Sequence, residues 1–297
     1  MNSTRRGLVA IALLAVMAAA GPARAADKLS AVATFSILAD LVANVGGDRV
    51  EVKSLVGPNG DVHVYAPSPM DAATLAAAKV VFVNGLGLEG WMERLISASG
   101  TKAPVVVATK GIKPRVEADQ SGGPDPHAWQ VVANAEAYVA NIRDGLAAAD
   151  PAGKAVYERN ASAYLAKLAA LEEEVRATVA RIPPARRKII TTHDAFSYFG
   201  AAYGVQFIAP QGVSTDSEPS AKDVAAIVAQ IKRDRIPAVF LENVSDPRLL
   251  ERIAAESGAR VGGTLYADAL TDASGEAPTY IAMMRHNVKQ LAAALVR

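Results

Sequence analysis

The stretch PAGKAVYERNASAYLAKLAALEEEVRATVARI, residues 151–182, decides how this chain is organised. Apolar or small side chains recur in it every three or four residues, which is the spacing of an amphipathic α-helix. These positions are Tyr157, Ala161, Tyr164, Leu168, Leu171, Val175, Val179 and Ile182. Pro183 and Pro184 end the pattern. One helix of this length would measure about 48 Å, more than the width of a small domain. Two helices broken near Asn160 are the alternative.

Short β-branched runs alternate with amphipathic or alanine-rich stretches on both sides of this helix. The predicted strands are 29–34, 50–56, 79–83, 105–108, 188–191, 206–209, 238–241 and 260–261. This alternation is typical of α/β folds with mostly parallel sheets. The sequence therefore predicts an N-terminal α/β lobe over 26–150, a long linking helix over 151–182 and a C-terminal α/β lobe over 183–297. Further helices are predicted over 131–149 and 277–296.

Several helix starts carry local signals. Ser68 followed by Asp71, and Ser220 followed by Asp223, have the spacing of capping boxes. Asp150 before Pro151, and Asp246 before Pro247, have the pattern of an N-cap followed by proline in the first turn.

Residues 1–25 have the features of a cleavable secretory signal. Arg5 and Arg6 precede an apolar run over 7–20, and an Ala-Arg-Ala cleavage site ends at Ala25. The apolar run is shorter than the ~20 residues that span a bilayer. Because the chain contains no cysteine, no lipid-modified cysteine can follow the cleavage site. These features predict a periplasmic protein without a lipid anchor.

Composition narrows the function further. A formal net charge of +1 gives no indication of a nucleic-acid partner or an anionic membrane surface. A hydrophobic content of 51% is enough for two ordinary cores. With no cysteine, disulfides are excluded, and any metal must be bound by nitrogen and oxygen.

Three of the four histidines share one setting. His63, His127 and His193 each follow a strand-like or turn segment and precede a helix-like one. Asp268 adds a carboxylate in an apolar run after the last predicted strand. Three imidazoles and one carboxylate are a suitable donor set for zinc. Two donors belong to each lobe, and interdomain clefts are favoured binding sites, so the metal is expected between the lobes.

Two enzyme readings compete with metal capture. Residues 85–90 match the pattern G-x-G-x-x-G, but no acidic residue ends the following strand, as a dinucleotide site requires. A zinc hydrolase would use three histidines and an open coordination position, with Asp268 as ligand or as base. The sequence alone leaves the hydrolase open, although it contains no H-E-x-x-H motif.

Other candidate residues are assigned lesser roles. His286 lies within the last predicted helix and is expected on the surface or on a helix face. Trp129 and Phe196 are expected to form apolar walls that keep water from the metal. The rival carboxylates are Asp61, Asp194 and Glu242; the first two are expected either to orient imidazoles or to cap helices.

The order of the motifs resembles a known family. The motifs are Phe35-Ser36-Ile37-Leu38-Ala39-Asp40, Asp61-Val62-His63-Val64-Tyr65-Ala66-Pro67-Ser68-Pro69, Val83-Asn84-Gly85, Asp125-Pro126-His127-Ala128-Trp129, Thr192-His193-Asp194-Ala195-Phe196 and Glu218-Pro219-Ser220. Together they resemble the cluster A-I, or cluster 9, metal-binding proteins of bacterial ABC importers for zinc and manganese. The resemblance covers essentially the whole chain after the signal.

This resemblance implies that His63, His127, His193 and Asp268 are the metal ligands and that the segment after residue 150 is a rigid interlobe helix. It implies an ABC permease and its ATPase as partners, a possible loading metallochaperone, a monomer and no catalysis. Zinc is the expected cargo, because manganese-directed relatives commonly carry a carboxylate where this chain has His193; manganese is the alternative. Residues 113–123 lack the histidines of many zinc-type loops. Some lipid-anchored relatives were named adhesins, which is a less favoured alternative here.

Overall fold

A computed structural model describes residues 28–116 and 123–296. The described strands are β1 Leu29–Phe35, β2 Val50–Val56, β3 Val80–Val83, β4 Val105–Val107, β5 Lys188–Ile190, β6 Gln206–Ile208, β7 Ala238–Glu242 and β8 Arg260–Leu265. The described helices are α1 Ser36–Gly46, α2 Pro69–Ala77, α3 Met92–Ser99, α4 Val132–Ala149, α5 Lys154–Ala180, α6 Ser197–Tyr203, α7 Ala221–Asp234, α8 Arg248–Ser257 and α9 Tyr280–Leu295. The predicted signal peptide, 1–25, lies outside the described residues.

The strands form two four-stranded parallel sheets, one before and one after the long helix α5 in the chain. Their orders are β2-β1-β3-β4 and β6-β5-β7-β8. Both sheets thus have the same topology, although no internal repeat is visible in the sequence. The predicted α/β class with parallel sheets is confirmed. The predicted domain limits at 150/151 and 182/183 stay a prediction.

The long helix α5 is continuous over Lys154–Ala180, and a 3-10 turn over Pro151–Gly153 leads into it. Seven of the eight predicted apolar positions are its buried residues, and the eighth, Ile182, is buried just beyond its end. The buried stripe contacts α1 and α4 on one side and α9 on the other. Helix α5 therefore lies along the back of both lobes and packs against each of them.

Asp150 stands at the N-cap of the 3-10 turn with Pro151 in its first turn, as predicted, but its side chain makes no capping hydrogen bond. Its carboxylate Oδ2 accepts hydrogen bonds from Arg49 Nη2 at 2.8 Å and from the Tyr157 hydroxyl at 2.6 Å. It fastens the helix entrance to the N-terminal lobe instead. The two predicted capping boxes, at Ser68 and Ser220, are both present.

The hydrophobic core is not divided into one separate core for each lobe. One buried cluster includes Leu41 of the first lobe, Leu171 of α5, and Tyr280 and Leu291 of α9. A second, smaller cluster around Ile231 and Ile253 belongs to the C-terminal lobe alone. The first core thus runs through α5 from one lobe into the other.

In the glycine-rich turn after β3, backbone N–H groups donate to a carboxylate of the same turn. The partly buried Glu89 carboxylate accepts hydrogen bonds from the backbone N–H groups of Asn84 at 2.6 Å and Gly85 at 3.1 Å, and from the Thr34 hydroxyl. Burial raises the pKa of Glu89 above its ordinary value, although these donors lower it. Gly85 has a φ of 82°, a conformation that favours glycine. The backbone N–H groups that would bind a dinucleotide phosphate already donate to Glu89. This argues against a dinucleotide-binding site at residues 85–90.

Within residues 28–116 and 123–296, no helix is both long enough and apolar enough to cross a membrane.

Candidate metal centre

The four predicted donors meet between the lobes, beyond the carboxyl ends of the strands. His63 follows β2, His127 follows β4, His193 follows β5 and Asp268 follows β8. One donor atom from each residue can be chosen so that all four lie within 4.8 Å of one another. The side chains of His127, His193 and Asp268 are fully buried, and that of His63 is 4% exposed.

The Asp268 carboxylate faces all three imidazoles. Its Oδ2 lies 3.0 Å from His193 Nε2 and 3.5 Å from His63 Nε2, and its Oδ1 lies 3.4 Å from His127 Nε2. His63 Nε2 and His127 Nε2 are 3.2 Å apart. A tetrahedral ion with bonds of about 2.0–2.1 Å separates its donors by about 3.3 Å, so these spacings fit a small divalent ion.

Both oxygens of Asp268 and His193 Nε2 are buried and make no hydrogen bond among the described residues. Burying polar atoms without partners is costly, and an ion at their centre would satisfy all three. These unpaired atoms are therefore the strongest structural sign of a cation site.

A buried carboxylate orients His193 from behind. Glu242, at the end of β7, accepts hydrogen bonds at Oε1 from the backbone N–H groups of Thr192 at 2.7 Å and His193 at 3.2 Å, and at Oε2 from His193 Nδ1. The other ring nitrogen, Nε2, then points at Asp268. Glu242 is thus a positioning group behind the centre and not one of the four donors.

His127 is held in the same way from its own loop. Asp125 Oδ1 accepts from the backbone N–H of His127 at 2.9 Å and from its Nδ1 at 2.8 Å. Its Oδ2 accepts from the Ser197 hydroxyl of the other lobe. The sequence analysis gave Asp125 no role, although the spacing Asp-x-His could have indicated it. The proline between them limits the loop to a turn in which both bonds form.

Asp268, in the C-terminal lobe, is placed by donors from the N-terminal lobe. The carbonyl of Ala267 accepts from Trp129 Nε1 at 2.9 Å and from Gln130 Nε2 at 2.8 Å, both in the N-terminal lobe. Trp129 also packs its ring 5.2 Å from that of His127. Trp129 is therefore a buried wall, as predicted, and an interlobe donor as well. Phe196, the other predicted wall, stacks on Phe207 at 4.9 Å.

Charges in the centre shift its pKa values strongly. Burial alone would lower the pKa of His193, but the Glu242 and Asp268 carboxylates raise it well above its ordinary value. Burial would raise the pKa of Asp268, yet His193 and His127 hold it well below its usual range. Burial likewise raises the pKa of Asp125, and His127 outweighs this and lowers it. The carboxylates of Glu242 and Asp268 therefore favour positive charge at His193.

The remaining candidates lie outside the donor cluster. His286 is buried on the inner face of α9, where its Nε2 donates to the Thr264 carbonyl at 3.0 Å, so a surface position is wrong for it. Asp61 does not orient the imidazole of His63; its Oδ1 accepts from the backbone N–H of that residue at 2.9 Å. The backbone N–H of Asp194 donates to the Gly212 carbonyl.

Comparisons with known proteins agree with this architecture. The family described as zinc-uptake complex component A periplasmic, ZnuA, matches residues 31–294. The iron-binding protein YfeA of Yersinia pestis is 34% identical over 94% of this chain and 90% of its own. The manganese-binding lipoprotein MntA of Halalkalibacterium halodurans is 36% identical over 95% of this chain and 94% of its own. The periplasmic zinc-binding protein TroA of Treponema pallidum superposes with a TM-score of 0.86, at 32% identity, over 91% of this chain and all of its own.

Fold, site and relatives together define a metal-binding, substrate-binding protein of an ABC importer. Within that class, the chain belongs to the ZnuA family, which confirms the resemblance seen in the motifs. The relatives are substrate-binding transport proteins, and their names give iron, manganese or zinc as the metal.

The names of the relatives correct one prediction. MntA is named a lipoprotein, and so are relatives from Streptococcus mutans and Streptococcus pneumoniae. The predicted location without a lipid anchor is therefore wrong. That prediction rested on the missing cysteine, and the absence of one residue type does not describe how members of a family are held at a membrane.

Proposed function

We propose that this protein captures zinc with His63, His127, His193 and Asp268 and delivers it to an ABC permease driven by an ATPase. The observation that carries the proposal is the set of unpaired buried atoms, His193 Nε2 and both oxygens of Asp268, directed at one point. Three nitrogens and one carboxylate suit a four-coordinate zinc ion. The protein acts as a monomer, performs no chemistry on its cargo and binds no nucleic acid. A metallochaperone is an optional further partner.

The same four donors argue against a zinc hydrolase. A catalytic zinc site keeps one position free for water and needs a general base beside it. Here Asp268 faces all three imidazoles and is fully buried with His127 and His193. Zinc bound by these four donors would have all four of its coordination positions filled by protein. The expected result is no turnover of ester, peptide or phosphate substrates by the zinc-loaded protein.

Manganese is the second candidate, and the orientation of Asp268 favours it. Because Oδ1 faces His127 while Oδ2 faces His63 and His193, the carboxylate is able to bind through both oxygens. The ion would then have five donors, closer to the higher coordination that manganese accepts. Three imidazoles nevertheless make a softer set than manganese prefers, and zinc ranks above manganese in affinity for such sites.

Competition between the metals tests the proposal. The apo protein receives one equivalent of zinc with about 100-fold manganese, a ratio chosen against the intrinsic advantage of zinc, and the bound metal is measured after desalting. Wild type is expected to retain zinc, and His193→Glu is expected to lose much of this margin. His286→Gln serves as control, because it changes a buried histidine outside the donor cluster. Retention of manganese by wild type would refute the zinc assignment.

A further inference from the structure

The three imidazoles of the centre are not held alike. Nδ1 of His127 donates to Asp125, and Nδ1 of His193 donates to Glu242. For His63, no hydrogen bond to Nδ1 is made within 28–116 and 123–296, and Asp61 instead fixes its backbone N–H. The orientation of His63 therefore depends on where its loop lies.

That loop is fastened from the opposite lobe. The Thr215 hydroxyl donates to Asp61 Oδ2 at 2.6 Å, while Asp61 Oδ1 holds the backbone of His63. Thr215 belongs to the segment 209–220, which joins β6 to α7. The base of this segment is tied to the strand end that carries His193, since the N–H of Gln211 donates to the Thr192 carbonyl at 3.3 Å. One segment thus connects the surroundings of two donors across the cleft.

A cleft of about 440 Å³ opens beside this connection. It is lined by His63, Leu86, Gly87, Pro126, Val213 and Ser214. Of the four donors, His63 alone lines it, and His63 is also the donor with an exposed edge. An ion that passes through this cleft would meet His63 before the other three donors.

We propose that the Thr215–Asp61 hydrogen bond is a latch that keeps His63 over the ion and sets the rate at which the ion leaves through this cleft. Thr215 is then a positioning residue, acting on the metal through Asp61 and the backbone of His63. His63 is the donor that turns away first, because none of the described residues forms a hydrogen bond with its Nδ1. The latch rests on the proposed function, since it presumes the four-donor site.

Zinc dissociation measures the latch directly. Zinc-loaded protein is mixed in a stopped-flow instrument with excess chelating fluorophore, and the release rate is compared among wild type, Thr215→Val, Thr215→Ser and Ser217→Ala. The valine variant keeps the shape of threonine and loses the donor, whereas the serine variant keeps the donor. Ser217 lies in the same segment, and among the described residues its hydroxyl donates a hydrogen bond to its neighbour Asp216.

The valine variant is expected to release zinc about tenfold faster, the effect of losing one hydrogen bond to a charged group. The serine variant is expected to restore the wild-type rate, and Ser217→Ala to leave it unchanged. An unchanged cobalt(II) absorption spectrum and apo melting temperature would show that donor set and fold are intact. If wild type binds zinc and the valine variant releases it no faster than Ser217→Ala, the latch alone is overturned. If wild type binds no zinc, the proposed function fails and the latch with it.

Discussion

Replacing Glu242 by glutamine would test how the protein orients the fully buried imidazole of His193. In the structure Glu242 accepts from His193 Nδ1, so that in the neutral imidazole, the form that binds a metal, Nε2 is free of a proton and directed at Asp268. Glutamine has nearly the same shape and presents a carbonyl oxygen and an NH2 group. If the oxygen keeps the backbone N–H groups of Thr192 and His193, the NH2 group faces Nδ1–H.

Two facing donors force the imidazole to move its proton from Nδ1 to Nε2, the atom that would bind the ion. Binding zinc then requires the proton to return to Nδ1, which leaves one buried donor unpaired at a cost of about 1–3 kcal/mol. This corresponds to a loss of roughly 10- to 100-fold in affinity, the size usual for groups that orient metal-bound histidines. Because Glu242 is only 4% exposed, water cannot easily replace the lost acceptor.

The assay is a zinc titration in competition with a chelating fluorophore at neutral pH, on wild type, Glu242→Gln and Glu256→Gln. Glu256 forms an exposed ion pair with Arg252 on α8, so its variant makes the same chemical change away from the centre. Circular dichroism and melting temperature report whether each variant is folded. If folded Glu242→Gln binds zinc as tightly as Glu256→Gln, the positioning role of Glu242 is refuted.

Three further outcomes are expected. Zinc affinity should fall as pH decreases, and because the carboxylates raise the pKa of His193, the fall should begin above the ordinary histidine value of about 6.5; equal affinities at pH 7.5 and 5.5 would mean that the imidazoles are not ligands. Burial raises the pKa of Asp40 to about 6 in the folded protein. The neutral carboxyl group therefore stabilises the fold at low pH, and this stabilisation of roughly 3 kcal/mol is lost as the pH rises through about 6. Asp40→Asn should therefore raise the melting temperature more at pH 7.5 than at pH 4.5, and the opposite order would contradict this sign. Crystals of apo and zinc-loaded protein should show a modest lobe rotation, since a rotation of about 30° or more is not compatible with α5 packed along both lobes.

The sequence predicted the elements well wherever local chemistry determines them. All eight predicted strands are present, because short β-branched runs between turns have few alternative structures. The buried stripe of α5 follows directly from a spacing of three and four residues. Strand β8 is the exception, since it was predicted only over 260–261 and extends to Leu265 through Gly262 and Gly263. The glycine pair lies at an irregularity of the β7–β8 register, between the Val239–Val261 and Leu241–Thr264 pairs, and Gly263 has a φ of 125°.

The metal-binding residues were predictable because histidine and aspartate are residue types that commonly bind metals. Three histidines and Asp268 in similar settings were enough to propose one centre. The role of Glu242 was not predictable, because it lies 49 residues from His193 and only the sheet order brings them together. Thr215 is 154 residues from Asp61 and gives no local signal at all. Side chains that act through a contact across the cleft are visible only in the folded molecule.

The core that passes through α5 also governs how the molecule comes apart. Since Leu171 and Tyr280 belong to the same buried cluster as Leu41, unfolding of one lobe would expose the apolar surface of the other. Loss of the C-terminal lobe would at the same time remove two of the four donors. Both lobes are therefore expected to unfold in one cooperative transition. Limited proteolysis should yield no stable fragment that contains one lobe and only two of the four donors.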